Sequence, residues 1–334
     1  MHTYLIDLLE CPVCHGELKW KIGEREEQRI IAAKATCAAC AAIYAVRDGI
    51  GLFLTPDLSR NDLWERMDSG LVRYLREHPQ LERQLLETPL EKLNPTDQFF
   101  RATMLEARGN YREARAVEET ALRGLYTPEY LACWTSQFDY VIAQLSASSG
   151  PIVDLASGRC YLIEILANRL QRPVVASDFS PTVLRHNRHR LENSGVYEAV
   201  SLLAFDARHT PFKTGSVTAL TTNLGLPNIE APGALLTELR RIVAGVFLAI
   251  SHFYAESDEA NASAIRAAQL DALLYRRSAL QQYLEAGWEV AVKNARIGAV
   301  QPTPKSDVLE GASVDSLPVA PTDLEWCVLR AQTR

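Results

Sequence analysis

Four cysteines near the start of the chain have the spacing of a metal site. Cys11 and Cys14 form one Cys-x-x-Cys pair, and Cys37 and Cys40 form a second pair, with 22 residues between the two pairs. Two such pairs can bring four thiolates to the corners of one tetrahedron, which is the geometry of a structural zinc site. The sequence therefore predicts one zinc ion held by these four cysteines.

Two other chemistries fit part of this motif. Cys11 to His15 also has the Cys-x-x-Cys-His pattern of c-type haem attachment, and His15 is a residue type that binds zinc. Haem attachment follows export, and the first residues contain no basic region followed by an apolar core. We therefore expect no signal peptide and a cytoplasmic protein, in which thiols bind metals more often than they pair.

The composition narrows the remaining classes of function. Of the 334 residues, 47% are hydrophobic and 23% are charged, as in an ordinary globular protein. The net charge of −6 provides no overall attraction to nucleic acid. No stretch approaches about 18 uninterrupted apolar residues, so no membrane partner is expected. Cys133, Cys160 and Cys327 stand alone, and we expect each to be a small buried side chain.

Three acidic residues follow predicted strands in the second half of the chain. Asp154, Asp178 and Asp206 each stand where a short apolar run ends. An open parallel sheet binds its ligand beyond the carboxyl ends of its strands, and a carboxylate about twenty residues after the first turn can accept from two ribose hydroxyls. Asp178 lies 24 residues beyond Asp154, and Asp206 would accept from the amine of adenine. A nucleoside-containing cofactor is therefore predicted.

The turn after the first of these strands separates two classes of cofactor. A dinucleotide needs a Gly-x-Gly-x-x-Gly turn to hold its pyrophosphate, whereas this turn has only Gly158. S-adenosylmethionine has no pyrophosphate and needs less glycine. The turn therefore favours S-adenosylmethionine.

Short apolar runs alternate with helical patterns from residue 150 onward. A helix is predicted to begin at Tyr161, and another is predicted at Ser180-Pro181, an N-cap residue followed by proline at the first helical position. Alternating strands and helices predict an α/β fold with an open, mostly parallel sheet. The predicted strands are 151–155, 173–178, 200–205, 216–222, 245–251, 288–292 and 324–329.

This part of the chain resembles the class I S-adenosylmethionine-dependent methyltransferases. The motifs that resemble the family are residues 153–158, 176–180, 205–212 and 236–243. The resemblance covers about residues 126–334 and implies a Rossmann-like, seven-stranded methyltransferase sheet with a reversed final hairpin. The cofactor-binding residues that it implies are Asp154, Ala156, Gly158, Asp178, Phe179, Asp206, Ala207 and Asn223.

The chain departs from this family within the glycine turn. Ala156 and Cys160 stand where the family usually has the first and third glycines, and cysteine adds bulk where backbone and cofactor approach closely. The alternative function is therefore a non-catalytic protein that binds S-adenosylmethionine or acts as a scaffold.

A second resemblance covers roughly residues 4–54. Residues 8–18, the second cysteine pair and residues 44–50 resemble the small zinc-ribbon protein that activates several methyltransferases. That family acts on partners that modify tRNA, rRNA and release factors, and its zinc carries no chemistry. Here an apolar run of Ile50, Leu52, Phe53 and Leu54 ends the ribbon. We expect this run to pack on the catalytic domain or on the helices between them.

Between these parts the sequence is rich in helix formers. A helical hairpin is predicted over 99–122, with its turn at Gly109-Asn110; it resembles one tetratricopeptide unit, but no repeat follows. The segment is predicted to be a connector, or a lid over a substrate pocket. Tyr126, Tyr130 and Trp134 follow it and are predicted to be core residues. The predicted parts are a zinc ribbon (1–56), a helical connector or lid (57–125) and a methyltransferase domain (126–334).

The methyl acceptor is left open among a small molecule, RNA and protein. Residues 222–230 lack the Asn/Asp-Pro-Pro-Tyr run of enzymes that methylate adenine or glutamine amines. The basic run 185–190 fits a phosphate contact or, preferably, a solvated helix face balanced by Glu192. Large-subunit rRNA guanine methyltransferases also place a zinc module before this fold, which keeps RNA among the candidates. His252 and Tyr254 follow the fifth strand and are the candidate catalytic residues, although a histidine there is often structural.

Overall fold

In a computed structural model of the chain, which describes residues 1–55 and 70–333, one mixed sheet runs through the molecule. Its strands are β1 (Leu18–Glu26), β2 (Arg29–Cys37), β3 (Ile43–Arg47), β4 (Ile50–Leu52), β5 (Ile152–Leu155), β6 (Val174–Asp178), β7 (Val200–Ala204), β8 (Val217–Asn223), β9 (Val243–Phe253), β10 (Trp288–Val300) and β11 (Thr322–Thr333). The helices are α1 (Gly70–Glu77), α2 (Pro79–Glu87), α3 (Pro95–Ala107), α4 (Tyr111–Leu125), α5 (Pro128–Leu145), α6 (Tyr161–Leu170), α7 (Pro181–Asn193), α8 (Pro232–Ile242), α9 (Glu259–Ala267), α10 (Asp271–Leu274) and α11 (Arg276–Glu285).

The second half of the chain has the predicted α/β arrangement. Its strands lie in the order β7-β6-β5-β8-β9-β11-β10. The first five are parallel, and β11 pairs antiparallel with both β9 and β10. The reversed final hairpin is thereby confirmed. Ser180 caps α7, because its hydroxyl accepts from the backbone N–H of Val183, and Pro181 opens the helix as expected.

The prediction of a separate seven-stranded sheet was wrong, because four further strands join it. β4 pairs in parallel with β7, with Ile50 opposite Leu202, and β3, β2 and β1 follow in antiparallel order. Eleven strands therefore form a single sheet in the described part of the chain. The physical reason is that β7 would otherwise be an edge strand with an unpaired row of backbone groups.

The apolar run at the end of the ribbon packs as expected. Ile50 is buried with residues of β5, β6 and β7, and Phe53 is buried between the ribbon and β7. The backbone N–H of Phe53 donates to Ala204 O at 2.8 Å. A Cβ at Gly51 would lie 2.6 Å from the side chain of Leu203, so glycine allows this close approach.

Arg29 makes polar contacts between the ribbon and the segment that leads into β7. Its side chain is buried, and its guanidinium donates to Val200 O at 3.1 Å and to Tyr197 O at 2.7 Å. The same group lies over the Tyr197 ring, 4.1 Å from its centroid. These carbonyls belong to the segment that enters β7, so Arg29 satisfies backbone groups that the ribbon itself buries.

The helices after the ribbon form the predicted hairpin and a small core. α3 and α4 are antiparallel neighbours joined at Gly109, whose φ is +81°. Their apolar side chains enclose a core with Leu75 and Leu85, and this core also takes in Val308 and Leu309 from the long β10–β11 connection. Residues 56–69, which include the start of the predicted connector and the predicted boundary at 56, lie outside the described residues, as does residue 334. Among the described helices, none combines the length and apolar character needed to cross a bilayer.

Replacing Arg29 with alanine should destabilise the whole protein. The change removes two charged hydrogen bonds and leaves two buried carbonyls without a donor, so we expect a loss of about 3 kcal/mol in the free energy of unfolding. Urea unfolding followed by tryptophan fluorescence measures this. Arg47→Ala, at an exposed position of the same ribbon, is the matched control. Equal midpoints for the two variants would show that the ribbon contributes no stability through Arg29.

Candidate functional site

The predicted acidic residues meet at one edge of the sheet. Asp154 lies in β5 and Asp178 ends β6, while Asn223 ends β8 on the other side of β5. Asp206 follows the neighbouring strand β7. The chain reverses its direction of travel across the sheet at β5, which is the place where open α/β sheets form a ligand crevice.

Asp154 has one satisfied and one unsatisfied carboxylate oxygen. Its Oδ1 accepts from the Thr221 hydroxyl at 2.6 Å, whereas its Oδ2 is buried with no hydrogen-bond partner among the described residues. Burial raises the pKa of this carboxyl to about 7. The unsatisfied Oδ2 atom could accept a hydrogen bond from a ligand, and a positively charged donor would suit the carboxylate best.

Asp178 is tied to the glycine turn. Its carboxylate accepts from the backbone N–H of Gly158 at 3.3 Å and from that of Ser180 at 3.0 Å. The side-chain amide of Asn187 in turn donates to Gly158 O at 2.6 Å. These hydrogen bonds therefore fix the position of the Asp178 carboxylate relative to the glycine turn.

The glycine turn keeps its backbone shape although two of its expected glycines are replaced. Ala156, Gly158 and Cys160 all have positive φ, at 51°, 49° and 63°. The two non-glycine residues adopt the left-handed conformation at a cost of about 1–2 kcal/mol each. The Cys160 side chain is buried in the apolar core with Ile163, as are Cys133 and Cys327 elsewhere. The bulk of Cys160 is thus accommodated in the core.

The Asp206 carboxylate forms an ion pair with Arg208. The guanidinium donates to both oxygens, at 2.8 and 3.1 Å, and the Arg208 backbone N–H donates to Oδ1 at 2.8 Å. The carboxylate is therefore rigidly oriented and retains only part of its acceptor capacity. Ala207 is buried beside it, and Phe179 is half-buried directly after Asp178.

Asn223 is oriented by a tryptophan. The Trp134 indole donates to Asn223 Oδ1 at 2.9 Å. Because an indole N–H can only donate, the amide oxygen must face Trp134, which leaves the amide N–H₂ group for other partners. Trp134 also packs edge-on against Tyr161 at 5.4 Å between ring centroids. We predicted Trp134 to be a core residue; it packs against the core and also reaches the candidate site.

His252 and Tyr254 lie on one face of the sheet beside Trp326. His252 is opposite Trp326 in the β9–β11 ladder, with ring centroids 5.2 Å apart, and Tyr254 follows two residues later at 6.1 Å from His252. Burial lowers the pKa of His252 to about 4 and raises that of Tyr254. His252 is accordingly a neutral imidazole near pH 7.

A buried group of ion pairs fixes the helical hairpin to the glycine turn. Arg159, next to Gly158, donates to Glu118 at 2.7 Å and to Glu106 at 3.1 Å, and Arg190 also pairs with Glu106. Tyr161 donates to Glu118. Burial opposes ionisation of Glu118, but Arg159 and Arg190 outweigh it and lower the pKa of Glu118 to about 2. This cluster was missed from the sequence, where an arginine among small turn residues was its signal.

The basic run 185–190 forms a helix face rather than an open patch of charge. Arg190 belongs to the buried ion pairs, and Arg188 pairs with Glu192 at 2.7 Å and donates to Asp48 O. The preferred interpretation, a face balanced by Glu192, is supported by these contacts.

The four cysteines of the ribbon come together. Their Sγ atoms all lie within 4.8 Å of one another, with Cys11 to Cys40 at 3.6 Å and Cys14 to Cys37 at 3.4 Å. Thiolates about 2.3 Å from a tetrahedral zinc ion are separated by a little under 4 Å, so the cluster fits zinc. His15 instead faces Glu10, at 2.8 Å.

Asp154→Asn should reveal the cost of the buried carboxylate. With a pKa of about 7 when folded against about 3.9 when unfolded, the folded state binds more protons between these values. Unfolding free energy therefore falls as pH rises from 4 to 7. The neutral amide of the Asp154→Asn variant does not titrate, so the variant does not lose stability in this way. Without ligand, its free energy of unfolding should exceed that of the wild type by about 2 kcal/mol at pH 8 but not at pH 4.

Urea unfolding at the two pH values measures the difference. Asp323→Asn, at an exposed site on β11, controls for the change of net charge. An equal effect of Asp154→Asn at both pH values would contradict a raised pKa.

Comparisons with known proteins agree with the geometry of the sheet. Residues 153–246 match the family model described as a methyltransferase domain. The demethylmenaquinone methyltransferase of Lactiplantibacillus plantarum is 31% identical over 99 residues, which are 29% of this chain and 42% of that protein. The ubiquinone/menaquinone biosynthesis C-methyltransferase of Cupriavidus pinatubonensis is 33% identical over 107 residues, 31% of this chain and 43% of that one. The chain thus spans less than half the length of these curated relatives.

Among solved structures, geranyl diphosphate C-methyltransferase from Streptomyces coelicolor A3(2) aligns with a TM-score of 0.44 and 16% identity, over 60% of this chain and 78% of that one. A similarity of this size carries no conclusion about ligands. The sheet order and the acids at the strand ends agree with this match, so residues 153–246 are similar to a methyltransferase domain.

Proposed function

We propose that this protein transfers the methyl group of S-adenosylmethionine to an acceptor, and that its N-terminal cysteines hold a structural zinc ion. The observation that carries the proposal is the unsatisfied, buried Oδ2 of Asp154 beside the glycine turn, within the segment that matches the methyltransferase domain. That oxygen would accept from the ammonium of the methionine moiety. The bound cofactor would supply a methyl group activated by its sulfonium.

The other strand-end residues would hold the remaining parts of the cofactor. Asp178, already oriented by two backbone donors, would accept from the ribose hydroxyls. Asp206 would use its remaining acceptor capacity on the adenine amine, with Phe179 against the base. Asn223 would offer its amide N–H₂ group beside the reacting centre. His252 is proposed as the general base, a neutral imidazole that takes up a proton, with Tyr254 next to it.

The alternative of a non-catalytic scaffold was based on Ala156 and Cys160. The turn keeps the left-handed backbone that glycine would adopt, and the Cys160 thiol is buried in the core. These two features favour an active enzyme. Screening RNA, protein extract and metabolite pools with labelled cofactor would separate the two functions, because micromolar cofactor binding without any labelled product would support the scaffold.

We also propose the division into a zinc ribbon (1–56), a helical connector (57–125) and a catalytic domain (126–334), with the zinc serving structure alone. The contacts of Phe53 and Arg29 with the β7 region support a structural role for the ribbon. No cysteine among the described residues is in a disulfide, which suits the reducing cytoplasm that we propose as the protein's location.

Asp178→Ala should weaken the binding of S-adenosylhomocysteine by roughly a hundredfold. The change removes two charge-assisted hydrogen bonds to the ribose, each of about 1.5–3 kcal/mol. Calorimetric titration gives the affinity, with Asp271→Ala, an exposed aspartate on α10, as control. Unchanged affinity in Asp178→Ala would show that the ribose lies elsewhere.

Purified protein should contain about one zinc ion per chain, and Cys37→Ser should lose it. One missing thiolate opens the tetrahedron, and the ribbon then lacks the folding free energy that metal binding supplies. Elemental analysis and thermal unfolding measure the two effects. Cys327→Ser, which changes a buried thiol outside the cluster, should keep its zinc. Full zinc occupancy in Cys37→Ser would refute the four-cysteine site.

A further inference from the structure

The Asn223 side chain lies between two groups of the proposed site on one face of the sheet. In the parallel strand pairs, Asp154 is opposite Thr221 and Asn223 is opposite Ile250. Because alternate residues of a strand share a face, Asp154, Asn223 and His252 lie on the same face of three neighbouring strands, β5, β8 and β9. The amide therefore stands between the buried carboxylate and the imidazole.

The loop after Asn223 lies close to the glycine turn. A Cβ at Gly225 would be 2.7 Å from the Cβ of Ala156, so only glycine allows this approach. Asn223, Ala156 and Ser157 all keep part of their surface accessible to solvent. A ligand bound at the turn would therefore have the Asn223 amide beside it.

The Trp134 indole determines which end of the Asn223 amide can face a ligand. Its N–H donates to Asn223 Oδ1 at 2.9 Å, and the rings of Phe138 and Tyr161 pack against it with centroids 5.2 and 5.4 Å away. Turning the amide over would place its N–H₂ group against the indole N–H and leave both donors without an acceptor there. Within residues 1–55 and 70–333, Asn223 Nδ2 has no hydrogen-bond partner. The N–H₂ group is therefore the end of the amide that is left for a ligand.

The polarity of this amide restricts the atom that can be methylated beside it. A neutral amine has one lone pair, which must stay free to attack the methyl group, and its N–H groups need hydrogen-bond acceptors. The N–H₂ group of Asn223 can only donate, so it would compete for that lone pair and satisfy no N–H. A hydroxyl, phenol or enol oxygen has at least two lone pairs. Such an oxygen can accept from Asn223 and still supply an electron pair to the methyl group or to the carbon next to it.

We propose that Asn223 donates a hydrogen bond to an oxygen of the methyl acceptor, and that Trp134 is the positioning residue that keeps the amide in this orientation. The acceptor then belongs to the hydroxyl, phenol or enol compounds and is methylated on that oxygen or on the adjacent carbon, not on an amine nitrogen. In both cases the acceptor atom supplies the electron pair of the new bond, the carbon–sulfur bond breaks with its pair left on sulfur, and the acceptor's proton passes to His252, the proposed base. This inference rests on the proposed methyl transfer.

The probes p-cresol and p-toluidine test the donor role of Asn223 by binding alone. They have nearly the same shape and are both uncharged at neutral pH, but only the phenol oxygen is a good hydrogen-bond acceptor. Each is titrated by calorimetry into the full-length protein saturated with S-adenosylhomocysteine. The wild type should bind p-cresol roughly tenfold more tightly than p-toluidine, which corresponds to one hydrogen bond.

Substitutions at Asn223 and Trp134 should change the ratio of the two affinities. Asn223→Asp keeps an oxygen for the Trp134 indole but replaces the N–H₂ group with a second acceptor, so the preference for p-cresol should disappear. Trp134→Phe lets the amide turn over, so the preference should fall by roughly half or more. General damage to the site would weaken both probes and leave their ratio unchanged. Asn110→Asp, the same change at an exposed position of the helical hairpin, is the matched control and should keep the wild-type ratio.

A second measurement identifies the methylated atom directly. The full-length protein is incubated with S-adenosylmethionine that carries an isotope-labelled methyl group and with metabolite, RNA or protein pools, and NMR spectra of the products distinguish methyl groups on oxygen, carbon and nitrogen. A methyl group on oxygen or carbon is expected, and the spectrum tells which of the two forms. A methyl group on nitrogen would overturn the inference while methyl transfer itself stands. So would equal affinity of the wild type for the two probes, or no binding of either. No labelled product from any pool would instead refute the proposed function, and the titration would still test the donor role of Asn223.

Discussion

The pairing of β4 with β7 is the contact on which the arrangement of the molecule depends. Three residues of the N-terminal segment continue the sheet in parallel, so backbone hydrogen bonds join the segment with the cysteine cluster directly to the strand that precedes Asp206. An open β7 edge would expose unpaired backbone groups. With Arg29 and Phe53 packed against the same region, the cysteine cluster stabilises the sheet edge from which the acidic residue projects.

The opposite side of the site is held by charge rather than by the sheet. Glu106 and Glu118 on the helical hairpin bind Arg159 beside the glycine turn, and they are buried with it. Removing one partner of such a cluster would leave a buried charge uncompensated, so these ion pairs hold the hairpin against the turn. Asp97 on the same hairpin accepts from the backbone N–H of Asp307 at 3.0 Å. The hairpin thereby also positions the connection that carries Asp315.

Protein contacts fix the orientation of the polar groups at the strand ends. Backbone N–H groups orient Asp178 and a guanidinium orients Asp206, which makes rigid acceptors for a polar ligand. The Trp134 indole orients Asn223 in the same way. In the proposed function, methyl transfer depends on in-line positioning, which fixed groups of this kind would provide.

Local patterns in the sequence were enough to locate the candidate residues along the chain. Each cysteine pair, each acid at a strand end and the Ser180-Pro181 cap is recognised within a few residues. Contacts between distant residues were decided only by the tertiary structure: Ile50 beside Leu202, Arg159 beside Glu118 and Tyr126 beside Asp315. Periodicity shows that a side chain is buried but not against what. An aromatic series on α5 therefore indicated a core, and only the tertiary structure showed that Trp134 also contacts Asn223.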